Sequence, residues 1–295
     1  MGSTRELLDR FGLQPKKSWG QNFLVDGHAK SRIVQAAHAG PDDTVVEIGA
    51  GLGALTMGLA ERAGRVIALD RDPDMIRVLE HVFVDTQKVT VSFISALDFD
   101  FRAAAQEAGR PLRVVGNLPY QITTPILFHV LAQAGGGAVV NHAVFMVQKE
   151  VADRLAAPPG SKVYGRLSVM VQQLAEVKAL FRVPPHAFVP QPQVTSTVFA
   201  LVPRAVPWAA VHDDALFAAV VRQAFSTRRK MLRRALEAFG AERLTASFEA
   251  SAIEPTRRAE TLSVAEFGAL TNALWERGAR AHDAPHAETL DDADA

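Results

Sequence analysis

The feature that most constrains this chain is a rhythm between residues 44 and 148, where short unbroken apolar runs rich in Val and Ile alternate with stretches of helical patterning. Thr44–Ile48, Arg65–Leu69, Val89–Ile94, Leu112–Val115 and Val139–Val147 read as strands, and Ala54–Arg62, Pro73–Val84 and Thr123–Ala134 as the helices between them. Strands that alternate apolar with polar residues keep one face wet, whereas strands without alternation must be covered on both faces. The rhythm therefore predicts an α/β fold around a mostly parallel sheet. Two further runs, Val177–Val183 and Thr195–Val202, are joined by a short proline-rich loop. Such a pair is naturally antiparallel and is expected to finish the sheet at one edge.

Flanking segments set the expected domains. Residues 1–40 form an N-terminal segment with two helix candidates, the second opening at Gly27 behind Asp26 as N-cap. Residues 41–204 hold the sheet, with helices expected at 149–157 and 166–176. Beyond a Pro203–Pro207 linker the pattern is helical, predicting a small C-terminal all-α domain over 205–280. Residues 281–295 are acidic and poor in large apolar side chains, the composition of a disordered tail. The chain has no Cys, which excludes disulfide frameworks, thiolate zinc sites, iron–sulfur clusters and cysteine nucleophiles. Its histidines show no metal-ligand spacing, so no metal is expected. The N-terminus has early acidic residues and no apolar stretch, and no run approaches the roughly 18 residues of a membrane span. A soluble, cytoplasmic protein without a membrane partner is expected.

Two motifs carry the chemistry. Glu47-Ile48-Gly49-Ala50-Gly51-Leu52-Gly53 ends the first strand and opens a helix. Glycines there let the backbone turn tightly and approach a ligand at the carboxyl edge of the sheet. The spacing is G-x-G-x-G, not the G-x-G-x-x-G of dinucleotide enzymes, and an acidic residue precedes it by two positions. This E-x-G-x-G-x-G pattern resembles motif I of the class I S-adenosylmethionine-dependent methyltransferases. Asp70, closing the second strand, fits either cofactor, since both carry ribose hydroxyls. The second motif, Asn117-Leu118-Pro119-Tyr120, stands at the end of the fourth strand and resembles the tetrad of amino-methyltransferases acting on nucleobases or amides. The exocyclic amine of adenine is a poor nucleophile because its lone pair is delocalised. Carbonyl oxygens from the Asn117 side chain and the Leu118 backbone can accept its two hydrogens and direct the lone pair outward. Pro119 stiffens the turn, and Tyr120 offers a face for stacking.

Taken together, the chain from about Phe11 to about Leu274 resembles the small-subunit (16S) ribosomal RNA adenine dimethyltransferases, the KsgA/RsmA family. Gly20-Gln21-Asn22-Phe23-Leu24, the stretch from Gln148 to Val169 with its Pro-Gly-Ser-Lys-Val-Tyr-Gly-Arg-Leu-Ser core, and Phe188-Val189-Pro190-Gln191-Pro192 fall in the family's order. The resemblance implies a Rossmann-like methyltransferase sheet and S-adenosyl-L-methionine as cofactor, bordered by Asn22, Leu24, Gly49, Gly51, Asp70, Ser95 and Asn117. It implies that Asn117, Leu118, Pro119 and Tyr120 carry the target adenine, with Phe188 closing on its other face. The implied partners are small-subunit rRNA and the pre-30S particle, met by a monomer. The implied reaction is dimethylation of the 6-amino groups of two adjacent adenosines near the rRNA 3′ end, late in ribosome assembly. Ser95 departs from the family's usual Asp before Ala-Leu. A hydroxyl accepts a weaker hydrogen bond from the cofactor's adenine than a carboxylate does, unless Asp98 turns inward instead. Alternatives are a large-subunit rRNA adenine methyltransferase of the macrolide-resistance type, and an assembly factor that keeps the fold without catalysis.

The formal net charge is zero, from 32 basic and 32 acidic residues, a poor sign for an RNA partner. The zero is a cancellation. Residues 145–238 carry 13 basic and 6 acidic side chains, and residues 239–295 carry 5 and 11. Within the basic strip, Arg228–Leu236 is predicted as an amphipathic helix with Arg229, Lys230, Arg233 and Arg234 on one face, where they can follow a phosphate backbone.

Overall fold

The computed structural model describes residues 2–16, 19–119, 122–227 and 229–284. In chain order the elements are α1 (Thr4–Phe11), β1 (Phe23–Leu24), α2 (Gly27–Ala36), β2 (Thr44–Ile48), α3 (Thr56–Arg62), β3 (Arg65–Asp70), α4 (Pro73–Val82), β4 (Val89–Phe93), α5 (Phe101–Ala108), β5 (Leu112–Asn117) and α6 (Thr123–Gln133). They continue with β6 (Val140–Gln148), α7 (Lys149–Leu155), α8 (Arg166–Leu174), β7 (Ala175–Val183), β8 (Phe188–Val189), β9 (Ser196–Pro203), α9 (Asp214–Phe225), α10 (Leu232–Ala235), α11 (Ala241–Ser251) and α12 (Val264–Glu276).

Among the described residues the sheet has seven strands in the order β4-β3-β2-β5-β6-β9-β7. The pairs β2·β3, β2·β5, β3·β4 and β5·β6 are parallel, and β9 runs antiparallel to β6. The absence of apolar alternation is explained by burial: all five residues of β2 are buried, as are the central four of β3. On one side Ile33 and Val34 of α2 and Leu59 of α3 join Val45, Val66, Val115 and Val144 of the strands in a single cluster. Asp26 caps α2 as expected, its Oδ1 accepting the Ala29 N–H at 2.7 Å. Helix α5, not predicted from the sequence, follows the N-cap Asp100 and buries Phe101, Ala104 and Ala105.

The chain divides into two compact units that differ from the expected domains. The first comprises residues 1–152 and 176–205, and the second residues 153–175 and 206–295. The N-terminal segment is therefore not separate: Leu7 and Leu8 of α1 pack with Phe23, Leu52, Met75 and Val78. Residues 153–175, assigned from the sequence to the sheet domain, belong to the helical unit instead. Tyr164 and Val169 sit in one cluster with Leu216, Phe217, Phe239 and Phe267, and the Gln173 side chain donates to the Ala209 carbonyl at 2.8 Å and accepts its N–H at 2.9 Å. Residues 281–284, expected as the start of the tail, are packed instead. Ala284 is buried, and Asp283 lies 2.9 Å from the Arg243 guanidinium; the rest of that prediction, residues 285–295, lies outside the described residues.

Strand order positions the site. From β2 the sheet grows one way through β3 and the other way through β5, and the crevice at such a reversal, outside the carboxyl ends of the strands, is where open α/β sheets bind ligands. Gly49 follows β2 there and Asn117 ends β5; a Cβ on Gly49 would lie 3.6 Å from the Asn117 carbonyl oxygen. Gly116 lets β5 come this close, since a Cβ on it would stand 3.0 Å from the Ile48 carbonyl oxygen and 2.9 Å from Leu118 Cδ2. Gly116→Ala is expected to cost about 1–3 kcal/mol of stability, the usual penalty of overpacking, measured by urea denaturation.

Candidate active site

One cavity gathers residues from distant parts of the chain. Its lining includes Asn22 and Leu24 from β1 and the segment before it, Glu47, Gly49 and Gly51 from the first turn, Asp70 from the end of β3, Ser95 from the loop after β4, and Asn117, Leu118 and Pro119 from the end of β5. All the residues expected at a cofactor are thus brought together. Of those expected at the target base, Asn117, Leu118 and Pro119 are present and Tyr120 lies outside the described residues.

The glycine turn is built as its spacing requires. Gly49, Gly51 and Gly53 have φ of 70°, 56° and 80°, the left-handed region that side-chain-bearing residues rarely adopt. The turn is held from β3, whose Leu69 carbonyl accepts the Gly49 and Ala50 N–H groups at 2.9 and 3.0 Å. The Asp70 carboxylate accepts the Gly51 N–H on Oδ2 and the Asp72 N–H on Oδ1, both at 2.9 Å. Each oxygen keeps a second lone pair for a ligand hydroxyl. Burial pushes the Asp70 carboxyl above its usual range, and the negative charge of Asp72 adds to this against the backbone N–H groups of Asp72, Gly51 and Arg71.

Glu47 is 2% exposed and accepts the Thr56 hydroxyl hydrogen bond. Burial pushes its carboxyl up to about 8, with the Asp70 charge acting in the same direction and the Thr56 bond against it. The pocket therefore holds two acidic groups that a cation would help to ionise and that a pyrophosphate would oppose. Ser95 lines the cavity and its hydroxyl accepts the Leu97 N–H at 3.2 Å. Asp98 is exposed and does not line the cavity, so it does not substitute for the missing carboxylate.

At the other end Asn117 Nδ2 donates to the Asn22 carbonyl at 3.2 Å. The turn beyond it is pinned by the Leu118 N–H on the Met146 carbonyl at 3.0 Å and by the Thr123 hydroxyl on the Pro119 carbonyl at 3.0 Å. Two expectations are corrected. Phe188 does not face the cavity: β8 pairs antiparallel with β1, Leu24 opposite Phe188, which turns the ring into the core at 1% exposure. The basic segment is not a continuous helix. The Leu232 and Arg233 N–H groups donate to the carbonyls of Arg257 and Pro255, at 2.8 and 3.1 Å, so residue 231 is extended and α10 spans only four residues. Arg228, where that helix was expected to begin, lies outside the described residues. Arg229, Lys230, Arg233 and Arg234 are nevertheless exposed, while Leu232, Ala235 and Leu236 are buried; Met231, expected among the apolar positions, is 41% exposed.

Trp19, Gln21 and Arg71 also line the cavity, and sequence reasoning does not find them. Gln21 lies inside a recognised motif, but the acidic partner it binds is 51 positions away and carries no sequence signal.

A glycine turn, a β3-terminal carboxylate and an Asn-Leu-Pro turn meeting at the switch point of this sheet define a class I methyltransferase. A profile of the ribosomal RNA adenine dimethylase family matches residues 12–275. The chain belongs to that family and is an rRNA adenine dimethyltransferase. It is 46% identical to "Ribosomal RNA small subunit methyltransferase A" of Xylella fastidiosa (strain Temecula1), covering 89% of this chain and 97% of that one. It is 47% identical to the protein of the same name from Anaeromyxobacter dehalogenans (strain 2CP-C), covering 92% and 98%. Among solved structures, the 23S rRNA methyltransferase ErmE superposes with a TM-score of 0.67 at 25% identity, over 86% of this chain and 99% of that one. A dimethyladenosine transferase from Plasmodium falciparum has a TM-score of 0.69 at 24% identity over 84% and 95%, a likeness of fold. The class implies S-adenosylmethionine as methyl donor.

The raised Glu47 carboxyl sets a pH dependence. A proton held in the folded state up to about pH 8, but released by the unfolded chain near 4.5, contributes stability that is full below 4.5 and lost as pH rises to about 8. Glu47→Gln should flatten the fall in stability between these limits, read from denaturation midpoints across the pH range.

Proposed function

We propose that this enzyme transfers methyl groups from S-adenosylmethionine to the 6-amino groups of two adjacent adenosines near the 3′ end of small-subunit rRNA. It acts as a monomer, in the cytoplasm, on a pre-30S particle late in assembly. The observation that carries this reading is the junction of the glycine turn with Asn117 in one crevice, so that a donor bound by the first delivers to an amine held by the second. The identity of 46–47% to small-subunit enzymes over nearly the whole chain favours that substrate over the large-subunit alternative, whose structural representative stands at 25%. Asn117 in the cavity wall favours catalysis over a purely structural assembly role.

The residues present fit the donor. Gly49 and Gly51 allow its methionine portion to approach the backbone, and the remaining lone pairs of Asp70 suit the ribose hydroxyls. Asn22, Leu24 and Ser95 border the rest, and the acidic character of Glu47 and Asp70 suits a cationic ligand. When bound, the donor supplies an electrophilic methyl on a sulfonium. The Asn117 Oδ1 and the Leu118 carbonyl accept the two hydrogens of the target amine and aim its lone pair, and Pro119 keeps the Leu118 carbonyl in place. No side chain need act as a strong base, because the amine sheds its proton once the new bond forms; positioning does most of the work. Arg229, Lys230, Arg233 and Arg234 supply phosphate contacts.

Radiolabelled methyl transfer tests the reading. Undermethylated small subunits should be labelled and naked large-subunit RNA should not, with Asn117→Ala losing at least about 100-fold in rate, the scale of removing one transition-state hydrogen-bonding group. Label on large-subunit RNA alone would refute it. Replacing Arg229, Lys230, Arg233 and Arg234 with Gln should weaken RNA binding and flatten its dependence on salt; an unchanged slope would remove them from the interface.

A further inference from the structure

The strap from Pro15 to Leu24, described except at residues 17 and 18, is tied at its two ends to different parts of the site. At the first end Lys16 Nζ lies 2.7 Å from both Asp72 Oδ1 and Asp74 Oδ2. Gln21 Nε2 donates to Asp72 Oδ2 at 2.7 Å, and Gln21 Oε1 accepts the Lys16 backbone N–H at 2.9 Å. Asp72 is 1% exposed and also caps α4 by accepting the Asp74 N–H. Its own N–H donates to Asp70, whose other oxygen holds the Gly51 N–H. A continuous chain of hydrogen bonds thus runs from the strap through Asp72 to the ribose-binding carboxylate and the glycine turn. At the second end β1 pairs with β8, and the Asn22 carbonyl accepts Asn117 Nδ2 at 3.2 Å. An Asn side chain has two ends of nearly the same shape and opposite polarity, and the bond to its nitrogen decides which end is left to face the substrate. Holding that nitrogen on the strap leaves the oxygen for the target amine.

We propose that Lys16, Gln21 and Asp72 are positioning residues that clamp the strap against the cofactor site, so that the Asn22 carbonyl holds the Asn117 amide with its oxygen toward the target amine. The clamp couples the ribose end of the site to the end where the methyl group is accepted. This inference rests on the functional reading above. Exposed ion pairs ordinarily contribute little, but here one partner is a buried carboxylate, and removing Lys16 strips charge compensation from a group shielded from water. Trp19 reinforces the first end, its ring flanked by Lys16 Nζ at 5.2 Å and by the Arg71 guanidinium carbon at 4.8 Å from the centroid.

Lys16 does not itself line the cavity, so its replacement reaches the site only through the partners it holds, Asp72, Asp74 and Trp19. With the full-length enzyme, Lys16→Met should bind S-adenosylhomocysteine about tenfold more weakly by calorimetry, the scale of one charge-assisted hydrogen bond. It should also lose kcat at saturating donor and RNA, because Asn117 is no longer held. Lys16→Arg, which keeps a donor to both carboxylates, should recover most of both losses, and circular dichroism should show Lys16→Met folded like the wild type. A Lys16→Met enzyme with wild-type affinity and kcat would overturn the proposal. So would weaker binding with unchanged kcat at saturation, which would leave Lys16 a cofactor-affinity residue without influence on Asn117. Failure of the wild type itself to bind S-adenosylhomocysteine would refute the functional reading before any substitution is compared.

Discussion

The Asp70 carboxylate is the interaction on which the rest of the site depends. It sits at the end of β3, half-buried, and accepts one N–H from the glycine turn and another from the start of α4. A carboxylate in that position would be costly if left bare, and the two backbone donors offset the loss of water while fixing the loops that provide them. The glycine turn can therefore take its left-handed course without being floppy. Asp72, two residues further, repeats the arrangement outward: it caps α4 and receives Lys16 and Gln21. The site is a relay of acceptors, each organising the backbone of the next segment.

Much of this is legible in the sequence, for identifiable reasons. Strands buried on both faces show as unbroken apolar runs, so β2, β3, β5 and β6 can be read directly. Glycines at 49 and 51 and Asn117 are local requirements of backbone and chemistry, and local requirements leave local signals. What the sequence hides depends on distant partners. Lys16 and Asp72 are 56 positions apart, and nothing in either neighbourhood announces the other. The basic segment has helical periodicity, but the carbonyls of Pro255 and Arg257 compete for its N–H groups and win. The family resemblance makes Phe188 a stacking platform, whereas its pairing opposite Leu24 turns it inward. Helix α5 escapes notice because Phe101, Ala104 and Ala105 make a short buried stripe, too brief to stand out from the surrounding loop.

The neutral net charge has a similar lesson. The excess of basic residues in 145–238 is offset by acidic residues elsewhere, and the four exposed cations of 229–234 flank a buried apolar turn of Leu232, Ala235 and Leu236. The buried side chains hold the segment down while the charged ones remain in water. Acidic side chains at the cavity favour a cationic ligand there, and exposed bases on the helical unit favour a polyanion.

The interrupted composition of the helical unit bears on how the chain matures as it is made. Residues 153–175 leave the ribosome before β7 and β9 exist, and well before α9 to α12, yet Tyr164 and Val169 share a core in which most of the apolar residues come from 209–284. Gln173 waits likewise for Ala209. Contacts so far apart in sequence close slowly, and a nascent chain halted near residue 205 carries an apolar surface without its complement. Synthesis to the C-terminal helices is thus what turns an exposed, aggregation-prone segment into a finished core.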